Sequence, residues 1–516
     1  MSRALRFVLP LLLVCGALPA RAGEPQALER GTAIIDPFAL RELDSDRFNL
    51  KRIMMPELSP KIPFMSGGLL FTLPSMAPVR KALDEEFDRY IARHKAEHPD
   101  ETIGVGTGLD FQLFDRAQLY SANSRFVLSG IVNRMDRAYV AGQECGEIRL
   151  IYRLTRITSA GIGEAAVSPR LPMTLNLVVK AKGTRSAVTC AMLARRWLAA
   201  GQLTETGAEL AEKLTARGGA LELVSLPLNI DRIETNLQIA HAPKSPTRDF
   251  RTDYLLKVFK YNAETKAFEE SPMENQIDRD KILADDKLKA DFKAWLLDPE
   301  NLRGADRGTV LIPERFLAKG AIAPTPAGFS PSELLPAYGL FQGEGKDFVF
   351  SESDVVGALR KATESGGALQ NIRSLAGFER RLNDMTCAGC HQTRGIGGFH
   401  FPGVDWMAAK PSNSTVVPAS PHFFGDQVRR RDILAAFRDG RQPDFSRGFA
   451  SRPQTRGSTE LAGSEYEDGW GAHCYVRHEK AAEDDASFRG WTCAEGLACQ
   501  AQTPASRIGM CFVKEK

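Results

Sequence analysis

The chain has 516 residues, more than one ordinary core accommodates, so length alone implies two or three domains. Hydrophobic residues make up 43% and charged residues 25%, which excludes general disorder. Lys and Arg number 67 against 64 Asp and Glu, and a formal charge of +3 gives no ground for nucleic acid or an acidic membrane surface as partner.

Arg3 and Arg6 precede a short apolar run from Phe7 to Leu18, and Ala20-Arg21-Ala22 places small residues where a signal peptidase reads. The pattern predicts a signal peptide over residues 1–22, cleaved before Gly23, and hence a protein exported to the periplasm or secreted. The alternative, a lipoprotein acylated at Cys15, would need a small residue where Val14 stands. The apolar run is too short to span a bilayer and no later segment is long enough, so no transmembrane segment is expected. Export bears on the nine cysteines. Without Cys15 eight remain, an even number that in an oxidising compartment implies that each is paired or otherwise occupied.

Residues 23–46 read as an extended leader, followed by an α+β domain over 47–323. Val79, Leu83, Phe87 and Ile91 recur every four positions, which predicts an amphipathic helix from Pro78 to His94. Short apolar runs predict strands at Phe126–Val132, Glu147–Leu154, Met173–Val179, Leu221–Leu226 and Tyr254–Tyr261. Several alternate with polar residues, as at Arg149, Tyr152 and Arg153 or Asn176 and Lys180, the pattern of half-buried strands in a mostly antiparallel sheet. Helices are expected at Ala191–Ala200 and Thr206–Ala216, and a disulfide between Cys145 and Cys190.

From 324 to 440 the texture turns helical, with helices expected at Glu333–Tyr338, Ser353–Thr363, Ile372–Met385 and Gly425–Arg438, and a Pro- and Ser-rich loop at Gly403–Pro421. Residues 441–469 read as a linker. Residues 470–516 form a disulfide-rich module in which Cys474, Cys493, Cys499 and Cys511 allow three pairings. The stretch Trp491–Cys499 resembles small extracellular disulfide modules, which bind a partner or cap a chain end.

The chemistry lies in Met385-Thr-Cys-Ala-Gly-Cys-His391. Two thiols a helical turn apart can add to the two vinyl groups of a haem, and the adjacent imidazole then lies under the iron. This assigns Cys387 and Cys390 to one covalent haem c and His391 to the iron as proximal axial ligand. A thioredoxin-like redox pair would need a βαβ context that the flanks lack, a zinc site would need His400 and His422 as further ligands, and a plain disulfide remains a third alternative.

Ile372 to His391 resembles the N-terminal helix of a mono-haem cytochrome c domain. The resemblance implies that a proline carbonyl, here that of Pro402, accepts the Nδ1–H of His391, which places His400 on the proximal side. It also implies a distal Met, and here the chain departs from the pattern: Met407 comes early and the next Met is Met510. His422 is better spaced as a distal ligand, although a loop histidine packed by Phe423 and Phe424, or an iron with no second protein ligand, fits equally.

Val132–Asp136, Cys145–Arg149, Arg232–Asn236 and Tyr254–Phe259 together resemble a region of large uncharacterised secreted bacterial proteins, which brings no activity with it. Arg134, Asp136, Glu147 and Arg149 could line a pocket on a strand edge; ion pairs that order a loop are the favoured alternative. Arg429 to Arg431 read as a solvated helix face or as a guide for an acidic redox partner. The fold class expected is multidomain α+β: an N-terminal, mostly antiparallel sheet with helices, a mainly helical cytochrome c-like domain, and a small disulfide-rich C-terminal module. The function expected is that of an exported c-type cytochrome-like protein passing electrons to an unknown redox partner protein. The alternatives are a haem-dependent oxidoreductase or peroxidase with an open iron site, and an extracytoplasmic binding or structural protein in which haem is accessory. A second Cys-x-x-Cys-His, which two-haem peroxidases need, is lacking.

Overall fold

The computed structural model describes residues 30–55, 64–140, 144–157, 170–182, 187–224, 230–242, 251–326, 349–372 and 426–447, with short stretches at 377–378, 381–382, 385–387, 403–404, 416–417, 473–475, 497–500 and 508–513. The signal-peptide residues and the expected helix at Glu333–Tyr338 lie outside them.

Helices α1 (Pro37–Ser45), α2 (Leu50–Met54), α3 (Gly67–Thr72) and α4 (Ala77–Glu97) come first. Helix α1 opens where the Asp36 carboxylate accepts the Ala39 N–H at 2.8 Å, with Pro37 at the first position. It buries Ala39, Leu40, Leu43 and Asp44, so residues 33–45 are part of the fold and not an extended leader. Asp44 ties α1 to the sheet by taking Arg125 at 2.7 Å and the Leu128 N–H at 3.3 Å. Helix α4 buries Val79, Leu83, Phe87 and Tyr90, the face that its four-residue repeat predicts.

Among the described residues one ten-stranded sheet organises the N-terminal half. Its strands are β1 (Ala33–Ile34), β2 (Ile103–Gly104), β3 (Phe111–Leu113), β4 (Ser124–Arg134), β5 (Glu147–Arg156), β6 (Arg170–Lys180), β7 (Ile230–Ala242), β8 (Arg251–Asn262), β9 (Ala267–Ser271) and β10 (Gly320–Pro326). The order runs β1-β4-β5-β6-β7-β3-β2, with β8 joining β7 to β9 and β10, and all pairs are antiparallel except β2 with β3. One face carries Ile148, Leu150, Tyr152 and Leu154 of β5, Leu175 and Leu177 of β6, and Ile233 and Leu237 of β7 into a core shared with α1–α4, α5 (Cys190–Ala200) and α6 (Gly207–Thr215). Each such fully buried Leu or Ile contributes roughly 1.5–3 kcal/mol. Tyr152 belongs to this core face, and its hydroxyl donates to the Phe48 carbonyl at 2.7 Å. Of the strand expected at Leu221–Leu226, residues 221–224 form a turn instead, with the Leu221 N–H returning to the Leu214 carbonyl at the end of α6, and residues 225–226 lie outside the described residues.

A second core unites α7 (Arg279–Ala284), α8 (Asp286–Leu296), α9 (Pro299–Arg307) and α10 (Glu352–Gly366) around Ile282, Phe292, Leu302, Phe316, Phe350 and Val355. Phe378 and Leu382, on the approach to Cys387, pack into it, so this helical core draws on both sides of position 323. Helix α11 (Gln427–Arg438) returns to the N-terminal core through Leu434. Strands β11 (Gly403–Val404) and β12 (Val416–Val417) pair with each other. Strands β13 (His473–Tyr475), β14 (Leu497–Gln500) and β15 (Ile508–Val513) make a small antiparallel sheet in the C-terminal module. No described helix is long and apolar enough to cross a membrane.

Candidate functional site

The opposite face of the large sheet was expected to meet solvent. Much of it is buried instead, with Lys260 left exposed at one margin. Register fixes its rows: Arg153, Thr174, Asn236, Leu256 and Ala321 lie side by side across β5, β6, β7, β8 and β10. The next row is Ile151, Asn176, Glu234 and Val258, and the next Arg149, Val178, Arg232 and Lys260. Arg149 is only 8% exposed and Asn176 9%. The outward positions of β5 and β7 carry arginine, not lysine, and that was the available signal, because guanidinium is the cation suited to buried ion pairs.

Charge fills one end of this face. Glu147, 0% exposed, takes Arg149 at 2.8 Å, Arg232 at 2.8 Å and Arg137 at 3.1 Å. Glu234 takes Arg149 at 2.7 Å and Arg232 at 2.8 Å. Asp136 takes Arg134 at 2.9 Å and Arg429 at 3.0 Å, while Asp426 takes Arg429 at 2.6 Å and Arg430 at 2.9 Å. Burial alone would raise the Glu147 and Asp136 carboxyls, yet Arg232, Arg137 and Arg149 around the first, and Arg134, Arg430 and Arg429 around the second, hold both well below the usual range. Arg134, Asp136, Glu147 and Arg149 thus form ion pairs on a sheet face and its adjoining turn, not a pocket on a strand edge. Arg429 and Arg430 are buried, which overturns the solvated-face expectation: the first turn of α11 lies against residues 135–137, and Asp136 and Asp426 draw both guanidiniums inward.

Cys387 meets the other end. Its Sγ donates to the Glu274 carbonyl at 3.8 Å, and it packs on Leu256, Met273 and Ala323, beside Tyr254, Val258 and Ala321. The Glu274 carboxylate grips Arg137 through both oxygens, one contact at 3.1 Å, so a single residue joins the Cys387 segment to the buried ion network. Its chain segment is pinned. The Met273 N–H donates to Ala318 at 2.8 Å, and Asn275, at φ 57°, donates to the Val310 carbonyl at 3.0 Å and accepts the Ile312 N–H at 2.8 Å. Glu274 was missed in the sequence because nothing local marks it.

Tested against these contacts, the surroundings of Cys387 fit a covalently attached haem: a half-buried sulfur, an apolar wall, and small residues at 321 and 323. Cys390, His391, His400, Pro402, Met407 and His422 lie outside the described residues. Among the described residues no group of three or more His, Cys, Asp or Glu could hold a metal ion.

The Cys145–Cys190 disulfide is present, with a Cα–Cα distance of 5.2 Å, and joins the turn before β5 to the start of α5. In the C-terminal module Cys499 is disulfide-bonded and faces Cys511 in register across β14 and β15, while Cys474 sits on β13; Cys493 lies outside the described residues. Compared with known proteins, the chain matches no family, no curated protein and no solved structure.

Proposed function

We propose that the chain is an exported c-type cytochrome-like protein that carries one haem through Cys387 and Cys390, with His391 as proximal ligand, and passes single electrons to a partner protein. The observation that carries this reading is the half-buried Cys387 thiol, seated against Leu256, Met273 and Ala323 and followed by Ala-Gly-Cys390-His391. Bound haem would supply reversible one-electron chemistry. The chain's own groups do the rest. Leu256, Met273 and Ala323 give the sulfur an apolar wall, and the paired charges of Glu147, Asp136 and their arginines give a fixed field that need not reorganise as charge changes. The Cys145–Cys190 disulfide supports an oxidising compartment.

The test is a pyridine haemochrome spectrum, with a haem-stained denaturing gel, on protein from a host that matures haem c. One covalent haem per chain, lost in a Cys387→Ala, Cys390→Ala variant, is the expected result. No stain, with a Cys387–Cys390 disulfide or bound zinc in its place, would overturn the proposal.

A further inference from the structure

The end of α9 receives the chain that leads to Cys387. Asp306, only 4% exposed, spends its carboxylate on three successive main-chain N–H groups: Gln370 at 3.0 Å, Asn371 at 2.7 Å and Ile372 at 2.8 Å. Its carbonyl is one of those that the last turn of a helix leaves unpaired, and it accepts the Asn371 side-chain amide at 2.9 Å and the Arg381 guanidinium. Arg381 is buried and stands one turn before Met385, whose N–H returns to the Arg381 carbonyl at 3.0 Å. The next carbonyl of α9, that of Arg307, takes the Arg447 N–H at 2.7 Å, and the Arg447 carbonyl takes Arg381 at 3.4 Å.

Apolar packing alone would hold this stretch loosely. Ile372, Phe378 and Leu382 pack into the second core, but such contacts are non-directional. A carboxylate on consecutive N–H groups is directional and charge-assisted, so it fixes register as well as place. Arg381 adds a second fixed point and Cys387, on the Glu274 carbonyl, a third. We infer that Asp306 and Arg381 are positioning residues for the haem: they set the point and direction from which the chain enters Cys387-Ala-Gly-Cys390-His391, and with it the orientation of the His391 imidazole. This rests on the covalent-haem reading, and both residues act through the chain, not by contact with the haem.

The test uses the haem-loaded protein and its Asp306→Asn and Arg381→Lys variants, each first checked for one covalent haem per chain. Asp306→Asn sets an amide, with one acceptor oxygen, against three donors, whereas Arg381→Lys keeps the charge and loses the planar fork. EPR g values, which report ligand orientation at the iron, are read beside the midpoint potential. The Cys145→Ser, Cys190→Ser protein controls for a general loss of stability. Shifted g values in both variants, with the control unchanged, are expected. Asn371→Ala, which removes one bond to the Asp306 carbonyl, is the milder variant should either fail to load, and it should shift the g values by less. Unchanged g values in the loaded variants, or an equal shift in the control, would overturn the inference and leave the haem reading intact. A change of potential alone would also overturn it, because the charge of Asp306 and not its grip would then be acting. Absence of covalent haem from the unmodified protein would instead remove the reading on which it rests.

Discussion

Arg429 Nη2 lies 3.0 Å from the Asp136 carboxylate, across 293 residues of chain. The contact fastens α11 to the turn that ends β4, and Arg134 on the same carboxylate makes Asp136 the hinge pin of the joint. Asp136→Asn leaves two buried guanidiniums short of a counter-charge, and such breakage costs about 3–5 kcal/mol. Chemical denaturation should show a loss of that order, with Arg429→Met adding less than its separate effect in the double variant. A loss under about 1 kcal/mol would mean that α11 is held by its other contacts, such as Thr32 with Gln427 and Arg430 with the Asn133 carbonyl.

Acid should act on the same network in a defined direction. Asp136 and Glu147 titrate lower folded than unfolded, so their stabilisation is full above the unfolded carboxyl range near pH 4 and fades as pH falls through the folded values. Stability of the unmodified protein should therefore drop below about pH 4, and Glu147→Gln, already destabilised at neutral pH, should drop less steeply. Parallel acid profiles would remove Glu147 from this account.

Asp44 runs the opposite way. Burial pushes its carboxyl up to about 6 despite Arg125 and the Leu128 N–H, so between the unfolded value near 4 and pH 6 the folded state holds the proton more tightly. Its contribution therefore falls as pH rises through that window, by about 1.4 kcal/mol per unit and about 3 kcal/mol in all. The unfolding free energy of the protein minus that of Asp44→Asn should decline from pH 4 to 6 and level off above. A flat difference would show that Arg125 keeps Asp44 ionised throughout.

The disulfide closes a separation of 45 residues. Loop entropy predicts that Cys145→Ser with Cys190→Ser loses about 4 kcal/mol, and reducing agent should lower the Tm of the unmodified protein by more than that of the variant, which keeps the Cys499 disulfide. Equal Tm values for the two oxidised proteins would mean that core contacts around α5 already close the loop.

What was legible in the sequence is what repeats locally. The four-residue spacing from Val79 to Ile91 gave α4, and β-rich runs gave β4, β5, β6 and β8, because those patterns report one element and its own buried face. Leu221 and Val224 misled because two apolar residues closing a turn onto Leu214 look the same as the start of a strand. Three arginines in a row suggested water, since Asp426 alone reads as a local helix pair and the second aspartate on Arg429, Asp136, lies far upstream. The Cys387–His391 motif was plain from spacing alone. Its seat was not: the wall of Leu256 and Ala323 exists only because β10 pairs with β8, more than sixty residues earlier.

That same reach across the chain sets a timetable. Asp136 leaves the ribosome 293 residues ahead of Arg429, and Thr32 waits 395 residues for its hydrogen bond to Gln427. At about 5–20 residues per second, the first gap alone takes roughly 15–60 s. Throughout that interval the arginine- and glutamate-bearing face of the sheet is without α11. Charged rows stay hydrated while they wait, where an apolar face of the same size would recruit a neighbouring nascent chain. A face costly to bury in the finished molecule is thus the safer one to leave open during its synthesis.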